Sequence, residues 1–223
     1  MKLALLAESS YDEKSLGTVL TGALGAGTAP AAGTPVARNP GWPAVLNILP
    51  NVVRAAYFNS DGDALVVLAD GNGDTLHTPA HNSVRDPLCR VCMLRQAADA
   101  AVAGCVRKPR PAGVPLRVGI AVAYPAIEAW YLCGERPEMS EAHWARFLAQ
   151  NPSGVTERKR QLKRLLYGTD RPSTAQIAEK SQAAAARLAA NITPLVELFP
   201  MGFGAMFHDL TSWPAAGEDA PSA

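Results

Sequence analysis

The sequence predicts an α/β fold, a parallel sheet flanked by helices with a helical extension toward the carboxyl end. Short, uninterrupted apolar runs at residues 2–7, 64–69 and 117–123 lack the alternation of half-exposed strands and read as strands buried on both faces. Helical periodicity fills the stretches between them, which is the order a parallel sheet requires. Residues 135–213 carry helical patterns without a strand-like run.

The first run, KLALLA, ends at Glu8, where Ser9 or Ser10 offers an N-cap. The helix that follows extends to about residue 24, and Asp12 and Glu13 in its first turn complement the helix dipole. GAGTAPAAG, residues 25–33, has the composition of a flexible surface connection, and a weak strand is expected at 34–38. Trp42, Val45, Leu46, Leu49, Val52 and Val53 recur at helical spacing, with Pro43 near the start and Pro50 predicting a break or kink. ALVVLA then runs into Asp70 and the turn Gly71-Asn72-Gly73-Asp74. A helix over 88–106 precedes a linker at 107–113, the strand at 117–123, and a helix over 125–133 with Pro125 in its first turn. Further helices are expected near 141–150, 156–167, 174–190 and 194–198. The chain thus divides into an α/β unit at 1–134, a helical extension at 135–213 and a disordered tail at 214–223.

Of the 223 residues, 48% are apolar and 18% charged, enough apolar surface to exclude a disordered polyampholyte. Twenty-one basic against 20 acidic residues leave a net charge of +1, so any polyanion site has to be local. No stretch reaches the roughly 18 apolar residues of a membrane span. The apolar segment after Lys2 is too short for a signal peptide, which points to a cytoplasmic protein with no membrane partner. Four cysteines at this length do not make a disulfide framework.

Parallel sheets place their chemistry at the carboxyl ends of strands. Acidic loops follow two of the runs, at Glu8–Asp12 and Asp70–Asp74, and would converge on one rim if those strands are neighbours. Converging carboxylates need a cation, and their oxygens suit Mg²⁺ or Mn²⁺, which clamps a phosphate and activates water. N-caps and turn formers produce the same pattern, and spacing does not separate the two.

The local sequences add a resemblance. LLAESSYDEKSL resembles the first Toprim motif, a strand followed by Glu, a small residue and a further acid. ALVVLADGNGD resembles the second, a strand running into Asp-x-Asp. AYPAIEAWYL and the basic KRQLKRLLYGTD resemble the later part of an uncharacterised prokaryotic Toprim-like family related to the overcoming-lysogenisation-defect (OLD) nucleases. The resemblance spans roughly residues 1–213 and implies a Toprim/Rossmann-like sheet. It makes Glu8 a metal ligand or general base, Asp12 the second acid of that loop, and Asp70 a metal ligand. Asn72 departs from the pattern where the second Asp would stand. An amide ligates through its carbonyl oxygen but brings no charge and cannot act as a base. Asp74 can substitute if the glycine-rich turn folds back. Glu128, matching the family's IEAW position, completes the metal shell, orients a ligand or pairs with an Arg.

The resemblance implies a Mg²⁺- or Mn²⁺-dependent nuclease acting on nucleic acid, DNA ahead of RNA, of the kind found in prokaryotic defence or mobile-element systems. A topoisomerase would need a separate domain presenting a nucleophilic Tyr. The alternative is a catalytically degenerate subunit that binds nucleic acid or a partner protein.

His77-x3-His81-x7-Cys89-x2-Cys92 gathers two imidazoles and two thiols, the donor set of a structural zinc site, in an unusual order. The bland alternative buries the two cysteines on a helix face and leaves both histidines in a solvated loop. Arg158, Lys159, Arg160, Lys163 and Arg164 crowd one predicted helix, where Arg160, Lys163 and Arg164 share a face with Tyr167 suited to a phosphate backbone or, equally, to solvent. Arg107, Lys108 and Arg110 make a smaller basic patch. Trp42, Trp130, Trp144 and Trp213 read as packing residues, and His143 and His208 as structural histidines.

Overall fold

The computed structural model describes residues 1–31, 41–59, 61–110, 113, 115–136 and 138–212. The three apolar runs form β1 (Lys2–Leu6), β3 (Ala64–Asp70) and β4 (Arg117–Ala123), and a short edge strand β2 (Ala29–Pro30) pairs with β1. All pair in parallel, in the order β2-β1-β3-β4. β2 falls inside the Gly/Ala/Pro stretch expected to be a plain connection. A proline is tolerated there because an edge strand leaves one side of its backbone unpaired. The strand expected at 34–38, Trp213 and the tail at 214–223 lie outside the described residues.

Side chains alternate along β3. Ala64, Val66 and Leu68 enter one core, while Leu65, Val67 and Ala69 enter the other. The first core is closed by α1 (Ser10–Leu24), α4 (Ile127–Leu132), α7 (Thr174–Ala190), α8 (Thr193–Leu198) and α9 (Ala205–Ser212). The second is closed by α2 (Trp42–Phe58), α3 (Arg90–Cys105) and Trp144 of α5 (Glu141–Gln150). Leu188, Phe203, Met206 and Leu210 share a core with Leu3, Val66 and Ala121, so helices expected as an extension cover one face of the sheet. A parallel sheet needs that cover on both faces.

At Pro50 there is no break: helix α2 continues through it, which leaves the kink as the form the expectation can take. Helix α4 starts at Ile127, beyond Pro125, whose carbonyl instead accepts the Asn72 N–H (2.8 Å). Trp130 and Trp144 are buried packing residues, as expected. Among the described residues no helix is long and apolar enough to cross a membrane.

The chain leaves β1 toward β2 on one side, and β3 lies on the other. The crevice beyond the carboxyl ends of β1 and β3 is therefore the topological switch point, where open α/β sheets bind ligands.

Candidate functional site

Because β1 and β3 are neighbours, Glu8 and Asp70 meet on one rim. The Asp70 backbone N–H donates to Glu8 Oε1 (2.9 Å). Asp70 Oδ1 accepts the Ile127 N–H at the start of α4 (3.0 Å), which sets the adjacent Glu128 beside it, 7% exposed. Asp12 comes from the first turn of α1. Ser9 Oγ–H donates to its Oδ2 (2.7 Å), and Ser9 Oγ accepts the Asp12 N–H (3.2 Å). Asp12 therefore serves the helix cap, as the bland reading expects, while its charge also bears on the rim.

The four carboxylates act on one another. Burial, then the charge of Asp70, pushes Asp12 up to about 7, and the same two causes push Glu128 up to about 7. Burial and Asp70 also raise Glu8. Such groups carry a proton more readily than an exposed carboxylate and favour a cation between them.

Lys159, on α6 (Val155–Tyr167), supplies one such cation. Its Nζ donates to Asp70 Oδ2 (2.9 Å) and to Asn72 Oδ1 (2.6 Å). Burial alone would lower its pKa, but Asp70, Glu128 and Glu8 outweigh burial and hold it above the ordinary lysine value. Asn72 sits at φ 48°, in the left-handed region that Asn tolerates better than most residues. Gly71 is required beside it, since a Cβ there would lie 2.1 Å from a carbon of the Tyr124 ring.

Asp74 is drawn elsewhere, which corrects the expectation that it supplies the charge missing at Asn72. Its carboxylate accepts from Nε of Arg90. Arg90 Nη1 donates to the Asp70 carbonyl (2.6 Å) and stands 3.8 Å from Glu8 Oε1, and its guanidinium rests 4.5 Å from the Trp42 ring centroid. Glu8, Asp12, Asp70 and Glu128 thus share one rim and feel one another's charge, but among the described residues only the His–Cys set brings its ligand atoms within 4.8 Å of one another, and Arg90 and Lys159 are two cations that motif reading did not assign to the rim. The apolar stripe Val155, Leu162, Leu166 places Lys159 on the inward side of α6 and was the signal available for it.

The basic face of α6 is only partly as expected. Arg160 and Arg164 are exposed and pair with Glu157 (3.7 and 2.5 Å). Lys163 is half-buried and close enough to Glu128 to oppose its upward shift, while Tyr167 is buried. Arg110 leaves the smaller basic patch altogether. It is buried and donates to the carbonyls of Ala56 (3.3 Å) and Gly62.

The second cluster forms as its spacing suggests. His77, His81, Cys89 and Cys92 bring one ligand atom each to within 4.8 Å of one another, a group that can hold a metal ion such as zinc. Cys89 and Cys92 Sγ lie 3.4 and 3.8 Å from His77 Nδ1. A tetrahedral zinc shell has ligand-to-ligand edges of about 3.3–3.8 Å, given bonds of about 2.0–2.3 Å. His77 Nε2 faces both Asn82 Oδ1 (3.1 Å) and Arg95 Nη1 (3.3 Å); the tautomer that donates to Asn82 leaves Nδ1 a free lone pair, and the one that accepts from Arg95 carries its proton on Nδ1. Asp86 Oδ2 stands 3.7 Å from His81 Nε2, while His81 Nδ1 is buried without a hydrogen-bond partner. Outer partners on the far nitrogen of each ring are the arrangement that orients histidine ligands. Burial pushes the Cys89 thiol up to about 11 in the absence of a cation, and lowers His77. All four cysteines are free thiols.

No family model, curated protein or solved structure matches this chain, and the Toprim resemblance rests on its own residues.

Proposed function

We propose that the protein is a Toprim-like, Mg²⁺- or Mn²⁺-dependent phosphodiesterase that hydrolyses nucleic acid, DNA ahead of RNA. The observation that supports this most is the meeting of Glu8, Asp70 and Glu128, with Asp12 behind them, at the switch point of a parallel sheet. Two of those acids are held near neutral pKa by burial and by Asp70. The donor set is all oxygen, which suits a hard divalent cation, and an ammonium already stands at Asp70.

Glu8, Asp70 and Glu128 would hold the ion, and the Asn72 side-chain oxygen lies against the same ammonium as Asp70. A divalent ion there supplies a Lewis acid for a phosphoryl oxygen and an acidified water. Asp12, at about 7, can take or give a proton near neutral pH. Lys159, once released from Asp70, presents its charge to the phosphate. Arg160, Lys163 and Arg164 steer the backbone toward the rim. The His–Cys cluster takes zinc in a structural role, because four protein ligands leave no position for water.

One observation favours a second reading. Lys159 bonded to both Asp70 and Asn72 satisfies the rim internally, as expected of a degenerate subunit that binds nucleic acid or a partner protein without cutting. One experiment decides between them. Pure protein and Asp70→Ala are incubated with supercoiled plasmid and single-stranded DNA in Mg²⁺, Mn²⁺ or EDTA. Metal-dependent nicking that the substitution abolishes is expected. Folded wild-type protein inert with every metal refutes the enzyme and leaves the binding subunit.

A further inference from the structure

One buried arginine joins the two clusters. Cys89 caps α3 and Cys92 lies in its first turn, with Arg90 between them at 6% exposure. Its guanidinium rests on the Trp42 ring, donates from Nη1 to the Asp70 carbonyl and from Nε to the Asp74 carboxylate, and stands 3.8 Å from Glu8 Oε1. A planar fork with this many fixed partners follows the helical turn that carries it. That turn is the one whose two thiols point at the His–Cys cluster.

We propose that the metal held by His77, His81, Cys89 and Cys92 acts on the acidic rim through Arg90. Arg90 is a positioning residue that keeps Asp74 out of the rim and holds down the rim's affinity for a divalent cation. The proposal rests on reading that rim as a divalent-cation site.

Metal–thiolate bonds at Cys89 and Cys92 fix the first turn of α3 and therefore the direction of Arg90. Arg90 then does two things at the rim. It occupies Asp74, whose side chain is 38% exposed against 20% for Asp70 and is the acid with most room to move. It also sets a positive charge near the ion's place. An ion bound to Glu8 Oε1 at about 2.1 Å would lie roughly 6 Å from the guanidinium. At that separation a unit charge weakens binding of a divalent ion by about tenfold, even at the dielectric of water. Loss of the His–Cys metal frees the turn, lets Arg90 withdraw and releases Asp74 toward Glu8 and Asp70.

The test is Mn²⁺ titration of the full chain followed by electron paramagnetic resonance, a readout independent of cleavage. Four samples are compared: wild type and Arg90→Gln, each zinc-loaded and each stripped of zinc. Stripping wild type is expected to tighten Mn²⁺ binding by about tenfold. Zinc-loaded Arg90→Gln shows the same gain with its zinc retained, and stripping it adds nothing. Adding Asp74→Asn to Arg90→Gln gives back part of the gain, which a merely structural role for Arg90 would not produce. Zinc-loaded Arg90→Gln that binds Mn²⁺ like wild type overturns the coupling. So does a variant that responds to stripping as wild type does. If stripped wild type unfolds, zinc-loaded Arg90→Gln that binds Mn²⁺ like zinc-loaded wild type still overturns the proposal. If no sample binds Mn²⁺, the reading of the rim itself falls, and the coupling with it.

Discussion

Removing one ligand of the His–Cys cluster tests the zinc reading through stability. His77 and Cys92 are separated by 15 residues, and a metal held by both would close that loop. Closing a loop of about 15 residues removes roughly 3 kcal/mol of chain entropy from the unfolded state. Such an ion would also satisfy His81 Nδ1, which is buried and has no hydrogen-bond partner. For a chain of this size each kcal/mol moves the midpoint by about 2–4 °C, so Cys92→Ser is expected to lower it by about 6–12 °C. The assay is calorimetric melting of zinc-replete protein, of the same protein treated with a chelator, and of Cys92→Ser, with metal content measured by elemental analysis. Chelation should lower the wild-type midpoint and leave Cys92→Ser unmoved. Cys105→Ser serves as control, since Cys105 is buried in α3 but is not one of the four grouped ligands, and it should keep its zinc. Protein that purifies without zinc, and whose midpoint ignores both chelator and added zinc, refutes the reasoning.

Gly71→Ala should cost about 1–3 kcal/mol by overpacking against Tyr124, measured by chemical denaturation, and should weaken divalent binding at the rim. Burial pushes Glu141 from 4.5 up to about 7, where its carboxylate accepts the N–H groups of Met201 and Gly202. A carboxyl raised on folding contributes stability that is full below about pH 4.5 and is lost as pH rises through about 7. The melting midpoint should therefore fall between pH 5 and pH 8, with Glu141→Gln removing a share on the order of 3 kcal/mol at most. A variant with the wild-type pH profile would count against a strained Glu141. Lys159→Gln should lower cleavage by about 100-fold through loss of the charge facing phosphate, and a rate within twofold of wild type would remove Lys159 from the chemistry.

Much of the fold could be read from the sequence because fully buried parallel strands leave uninterrupted apolar runs. β1, β3 and β4 announce themselves in this way, and the acids that follow two of them converge once the strands are neighbours. Spacing raised the His–Cys cluster as one of two readings, and the burial of His77 against Cys89 and Cys92 is what separates it from cysteines packed away from solvated histidines. What was not legible depends on tertiary partners. β2 is two residues long and pairs by backbone only, so its Ala-Pro sequence carries no strand signal. Asp74 lies two residues from Asn72 in a turn that permits either direction, and Arg90 selects one. Arg90 lies inside the C-x2-C pair, where no sequence pattern marks it for burial, and the Trp42 ring, the Asp70 carbonyl and the Asp74 carboxylate account for its place. On α6 the density of charge concealed the side on which Lys159 lies, which the burial of Leu162 and Tyr167 determines.

The most direct measurement compares metal-dependent cleavage of DNA by wild type, Asp70→Asn and Asp74→Asn, each confirmed folded by circular dichroism. Both substitutions remove one charge, four residues apart across the turn after β3, so they separate the rim from its surroundings. Nicking in Mn²⁺ that Asp70→Asn reduces to background and Asp74→Asn leaves within a fewfold of wild type is the expected result. Equal activity in wild type and Asp70→Asn, or no cleavage by any of the three in any divalent metal, would contradict the assignment of the Glu8–Asp70–Glu128 rim as a hydrolytic centre.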